Sequence, residues 1–133
     1  MTIAQERHPV VTDKAPRPLQ GAPYSQAIAT RGLVFCSGQV PLDPVSGELV
    51  EGGIAEQARQ VMENLKAVVE AAGATMQDIA KTTIFMTDLG DYGTINEVYG
   101  SYFEGAPPAR SAVQVSALPA GASVEIEAIV AGE

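Results

Sequence analysis

The stretch that decides the fold reads Pro107-Pro108-Ala109-Arg110-Ser111-Ala112-Val113-Gln114-Val115, passes through Leu118-Pro119-Ala120-Gly121-Ala122-Ser123, and ends in Val124-Glu125-Ile126-Glu127-Ala128-Ile129-Val130. Period-two alternation on either side of a Pro/Gly-rich segment predicts two strands joined by a loop. Successive side chains of a strand point to opposite faces. Val113 and Val115 therefore share one face of the first strand, and Arg110, Ala112 and Gln114 share the other. On the second strand Val124, Ile126 and Ala128 form the apolar face, with Glu125 and Glu127 opposite. If the two strands adjoin, an arginine and a glutamate stand on the same side of the sheet. The guanidinium of Arg110 presents a planar fork that grips a carboxylate through two parallel hydrogen bonds. A neighbouring glutamate can accept a proton from water or return one to a leaving group. The same residues also read as a cross-strand ion pair in which Arg110 only neutralises Glu125 or Glu127.

Upstream, Gly105-Ala106-Pro107-Pro108 ends a helical pattern that runs from Tyr92 to Phe103, with Tyr92, Ile95, Tyr99 and Tyr102 on one stripe. Asn96 lies off that stripe near the helix start. Asp91 is placed as its N-cap, after a turn at 88–91. The β-branched and aromatic run Lys81-Thr82-Thr83-Ile84-Phe85-Met86-Thr87 predicts a strand, preceded by a capping box at Thr75–Asp78. The clearest helix spans Ile54 to Ala72. Its stripe Ile54, Ala58, Val61, Leu65, Val68 and Ala72 recurs at spacings of four and three, and Gly73 is its stop. Before it, Arg31-Gly32 marks a hairpin turn between strands at Ala27–Thr30 and Leu33–Ser37. Tyr24 follows a proline that restricts its backbone, so its hydroxyl is a candidate to face a pocket, although a tyrosine at a core edge reads the same way. Gly38, at a strand end, permits close approach of a ligand or simply makes a turn.

The order is β-β-α-β-α-β-β, an α+β domain in which two helices cover one face of a mixed sheet of five or six strands. The other face is expected to carry Arg110, Gln114, Glu125 and Glu127 and to meet other subunits. Residues 1–20, with Pro9, Pro16 and Pro18 among charges, read as a flexible or loosely docked arm, in which Val10-Val11 can add an edge strand; residues 21–133 form a single domain.

Composition narrows the class. At 133 residues and 46% apolar content, the chain has enough material for one core, and no apolar run long enough to span a membrane. Cys36 is the single cysteine and cannot close an internal disulfide, which fits a reducing cytoplasm. The net charge is -8, and three of the eight basic residues, Arg7, Lys14 and Arg17, fall in the first twenty positions. Little remains to track a phosphate backbone, so nucleic acid is not the expected partner. One histidine and one cysteine far apart make no zinc set.

Pro108-Ala109-Arg110-Ser111 with Val124-Glu125-Ile126 resembles the C-terminal signature of the reactive intermediate deaminase (Rid, YjgF-type) family. The resemblance extends through Pro23-Tyr24-Ser25-Gln26-Ala27, Ser37-Gly38-Gln39 with Pro41 and Asp43-Pro44, Gln57-Ala58 with Asn64-Leu65, Lys81-Thr82-Thr83 and Ile95-Asn96-Glu97. It implies a fold like that of chorismate mutase, assembled as a homotrimer around a central barrel with clefts between subunits. It further implies cofactor-free hydrolysis of reactive enamines and imines, such as 2-aminoacrylate and 2-iminobutanoate, to a 2-oxo acid and ammonia, a form of metabolite damage control. By the resemblance Arg110 binds the substrate carboxylate and Glu125 orients or activates water. Tyr24, Gly38 and Asn96 line the pocket. Ala112 replaces a cysteine frequent in the family, so only its backbone can serve there. Two other classes remain: a carboxylate-binding regulatory trimer without turnover, which needs Arg110 but not Glu125, and a ribonuclease, against which the acidic charge argues.

Overall fold

The structure is a computed structural model that describes residues 6–132; residues 1–5 of the expected arm lie outside the described residues. Six strands form one sheet: β1 (His8–Val10), β2 (Ala27–Thr30), β3 (Leu33–Gln39), β4 (Ile79–Met86), β5 (Ala109–Gln114) and β6 (Val124–Ala131). Helix α1 (Ile54–Ala71) joins β3 to β4, and α2 (Tyr92–Gly100) joins β4 to β5. The sheet is mixed and the fold α+β, with strand order β1-β2-β3-β6-β4-β5. Among the strands of the described residues, only the β4–β5 pair is parallel.

The order explains where the helices lie. β3 and β4 run the same way with β6 between them, so β3-α1-β4 and β4-α2-β5 are both crossovers to a parallel strand in the same direction along the sheet. Crossovers of one hand put both helices on the same face. They pack there into one core with Met62, Leu65, Ile84, Met86, Ile95 and Ile126 almost wholly excluded from solvent. Burying a side chain of this size stabilises the fold by roughly 1.5–3 kcal/mol.

Local chemistry sets the ends. In the β2–β3 hairpin both turn residues adopt positive φ, 53° at Arg31 and 79° at Gly32, which matches the twist of the strands. Two polar residues of α1 are buried because each serves the chain around it: Asn64 donates to the carbonyls of Val40 and Leu42 (3.0 and 2.9 Å), and Gln57 Oε1 accepts from the Ser123 amide at 2.8 Å. The edge strand of the N-terminal segment forms at His8–Val10, paired antiparallel with β2. Buried Gln26 then holds the following turn, accepting from the Thr12 amide and donating to the carbonyls of Thr12, Ala15 and Pro16. Helix α2 stops at Gly100, three residues before the predicted end, and Ser101 and Tyr102 continue only as turn. Asp91 sits at the N-cap without a side-chain capping bond; Asp88 instead accepts from the Gly90 amide at 2.8 Å in the preceding turn.

The registers correct one expectation. β5 and β6 are not neighbours, because β4 lies between them. Thr82 of β4 stands opposite Arg110 on one side and Ala128 on the other. Directly opposed residues share a face, so Arg110, Ala112 and Gln114 belong to the helix-covered face with Ala128 and Ile126. Phe85 stands between Val113 and Glu125, which puts Glu125 and Glu127 on the open face. Arg110 and Glu125 of one chain are therefore on opposite faces of the sheet.

Candidate functional site

Arg110 leaves the edge strand β5 toward α2, where three residues spaced four and three apart share one helical face. Asn96 Oδ1 accepts from Nη1 of Arg110 at 2.8 Å, and the Tyr92 hydroxyl accepts from Nη2 at 2.9 Å. The guanidinium carbon also stands 5.1 Å from the ring centroid of Tyr99 and 5.5 Å from that of Tyr92, within the range where a cation is attracted by a ring face. Beneath it, the hydroxyls of buried Tyr99 and Thr82 are hydrogen-bonded at 2.6 Å, which fixes the Tyr99 ring. Burial pushes the Tyr99 phenol up, opposed by its bond to Thr82 and the charge of Arg110. Half-buried Arg110 is thus braced at two nitrogens, and the remaining donors of its five can meet an anion. Ala112, two residues along the same face, packs its methyl against the core.

The second cluster lies on the open face. Where β3 meets β6 the register slips between Cys36 and Gln39. One extra residue is accommodated there, and Gly38 is brought over Glu125. A Cβ on Gly38 would collide with the Glu125 carboxylate, standing 2.8 Å from Cδ and 3.1 Å from Cγ. Half-buried Glu125 has its pKa raised above 4.5, first by burial and then by repulsion from Glu127 two residues along the same face. A raised carboxyl is better matched to giving and taking protons near neutrality.

Tyr24 precedes β2 at the other side of the sheet from Arg110. Its hydroxyl accepts from the Leu19 amide at 2.8 Å. The ring lines an open hollow with Pro23, Ser25, Phe35 and Ser37, and Ser37 Oγ donates to the Ser25 carbonyl at 2.6 Å. Cys36 is buried in the core, where burial pushes its thiol up to about 12, away from the thiolate form that reacts.

Within one chain, then, Arg110 and Asn96 come together, Gly38 and Glu125 come together, and Tyr24 stands apart from Arg110. Sequence reasoning missed Tyr92 and Tyr99 as partners of Arg110. Their place on the helical stripe was visible, but a stripe reports packing and not which cation lies across from it.

The family model described as Endoribonuclease L-PSP matches residues 12–132. Among curated relatives, Protein DfrA of Myxococcus xanthus is 53% identical over 125 residues, covering 92% of this chain and 94% of its own. The 2-iminobutanoate/2-iminopropanoate deaminase of Mus musculus is 49% identical over 123 residues, covering 92% of this chain and 90% of its own. Among solved structures, Escherichia coli TdcF with bound serine superposes with a TM-score of 0.89 at 43% identity, over 95% of this chain and 99% of that one.

Proposed function

The chain belongs to the Rid (YjgF-type) family, and from that premise we propose that it is a cofactor-free hydrolytic deaminase of small 2-imino acids, such as 2-iminobutanoate and 2-iminopropanoate, and of the enamines in equilibrium with them. The observation that carries this reading is Arg110, braced by Asn96 and Tyr92 with donors to spare. The name and 49% identity of the murine relative point to the same substrates.

In the proposed reaction the substrate carboxylate rests on Arg110. Water adds to the carbon of the protonated imine and gives up a proton to Glu125, forming a neutral carbinolamine. Glu125 returns that proton to nitrogen, the C–N bond breaks and ammonia leaves, and the hydroxyl proton passes back to Glu125 as the carbonyl of the 2-oxo acid forms. An imine is already electrophilic, so fixing the carboxylate and placing the water supplies much of the acceleration.

One chain does not bring Arg110 and Glu125 to the same side of its sheet. We therefore place the reaction in clefts between copies of a homotrimer, one copy contributing Arg110 and Asn96 and its neighbour Glu125, Gly38 and Tyr24. Head-to-tail contacts that close into a ring join unlike surfaces in this way. The open face, with Phe35, Val113 and Ile129 all more than a third exposed, supplies apolar area for that assembly, and the sole cysteine fits a cytoplasmic setting.

The serine bound to TdcF favours a second reading, in which the same arginine serves a binding protein without turnover. Ribonuclease activity, which the family model's description names, fits poorly with a net charge of -8.

The test is to generate 2-iminobutanoate with a dehydratase and to follow its disappearance with and without this protein. Accelerated loss is expected, abolished by Arg110→Ala with the fold intact. Losing a paired, partly desolvated charge contact costs on the order of 2–5 kcal/mol of binding. An unaccelerated rate with the intact protein would leave the binding reading, and near-normal turnover by Arg110→Ala would remove the assignment of Arg110.

A further inference from the structure

Arginine carries N–H donors and no acceptor. Its contact with Tyr92 therefore runs one way: Nη2 donates and the phenolic oxygen accepts, at 2.9 Å. The Tyr92 hydrogen is left free by this bond, and no other side chain or backbone group among the described residues takes it. A hydroxyl that accepts from a charged donor is polarised, which makes it a better donor in turn. Tyr92 is 42% exposed, so its hydroxyl is open to a solute, while the guanidinium over its ring restrains the phenol.

We propose that Tyr92 is a third donor of the carboxylate site: the substrate carboxylate seated on Arg110 also accepts the Tyr92 O–H. The inference rests on the reading of Arg110 as the carboxylate-binding residue and deepens it. Two features of the chain make it specific. Tyr92 is the first residue of α2, one turn before Asn96, so both groups that brace Arg110 come from one rigid helix. Asn96 accepts through its carbonyl oxygen alone, whereas only the phenol can accept from the arginine and donate onward through the same atom. A phenylalanine at this position would keep the ring against Arg110 and lose the donor.

The test is to measure the Kd of 2-oxobutanoate, an unreactive product, together with the KM and kcat for imine hydrolysis. The proteins are the intact enzyme, Tyr92→Phe, Tyr92→Leu and Arg110→Ala. Tyr92→Phe is expected to raise Kd and KM about tenfold, the loss of a hydrogen bond to a charged group, with kcat unchanged because the bond is made to substrate and transition state alike. An unchanged Kd in Tyr92→Phe, with binding lost in Arg110→Ala, overturns the role of Tyr92 and spares that of Arg110. Unchanged Kd in both variants overturns the underlying reading as well. A weakening seen with leucine but not with phenylalanine assigns the effect to the ring and overturns the proposal, as does a fall in kcat at unchanged Kd.

Discussion

Gly38 and Glu125 lie so close across the β3–β6 boundary that a single methyl on the glycine would enter the space of the carboxylate. The relation comes from the irregular register between Cys36 and Gln39, which sets Gly38 against the open-face side chain of β6. A glycine at a bulge lets another group approach the backbone closely. Here the approaching group is a carboxylate that the proposed chemistry uses.

Gly38→Ala is therefore expected to fold and assemble normally, since Glu125 is a flexible side chain that can swing aside. Its carboxylate would then be displaced, and a misplacement of about 1 Å can cost about a hundredfold in rate. Turnover of 2-iminobutanoate together with a circular dichroism spectrum checks both halves. Full activity in this variant would mean that the seat of Glu125 on Gly38 has no part in the reaction.

The repulsion between Glu125 and Glu127 predicts a pH effect. In the proposed reaction Glu125 takes up a proton in its ionised form, so turnover should fall as pH drops through its pKa, which burial and then Glu127 raise. Glu127→Gln removes the second cause, and the acid limb of the rate profile should move to lower pH. At the optimum its rate should stay near that of the parent. Glu125→Gln, which cannot take a proton, should lose the limb and lower turnover by roughly 10²–10⁴-fold. A limb that Glu127→Gln leaves in place would assign that titration to some other group.

Assembly and activity should fail together when the open face is charged. Phe35, on β3, is 43% exposed in the single chain and opposes Ile129, exposed at 37%. The parent is expected to sediment at about three times its 13.8 kDa chain mass. Phe35→Glu should sediment as a monomer, keep its helical signal and lose turnover. A monomeric variant that still hydrolysed imine would show that a single chain holds a complete site.

Much of this architecture can be read from local pattern. The stripe from Ile54 to Val68 specifies α1 because a helix repeats its buried face at spacings that no neighbouring segment needs to supply. The Arg31-Gly32 turn is equally local. Alternation in Ala109–Gln114 is a weaker statement: it shows that Arg110, Ala112 and Gln114 share a face, but not which face the helices cover. The valines suggested the covered side, yet Val113 ends up 43% exposed on the open one. Nor does succession along the chain fix adjacency in a sheet, and the loop before Val124 carries β6 past β4 to its far side. Those two non-local choices separate Arg110 from Glu125. The Arg110–Asn96 and Arg110–Tyr92 bonds link residues 14 and 18 apart across a helix–strand packing, which no short-range pattern records.

The place of β6 has a consequence for how the chain acquires its structure during synthesis. This strand is last in order, yet it is paired on both flanks, with Cys36 opposite Ala128 and Ile84 opposite Ile126. Until Val124–Ala131 emerges, β3 and β4 each keep a bare edge and the nascent sheet is open at its middle. Unpaired strand edges with uncovered apolar surface are what folding intermediates aggregate through. The helices and the Arg31-Gly32 hairpin can form early, because their contacts are short in sequence. Closure cannot, because its contacts span most of the chain and are slow to find. Cooperative folding therefore waits for the final strand, and a ribosome stalled before Val124 would hold a chain whose central seam is still exposed to its neighbours.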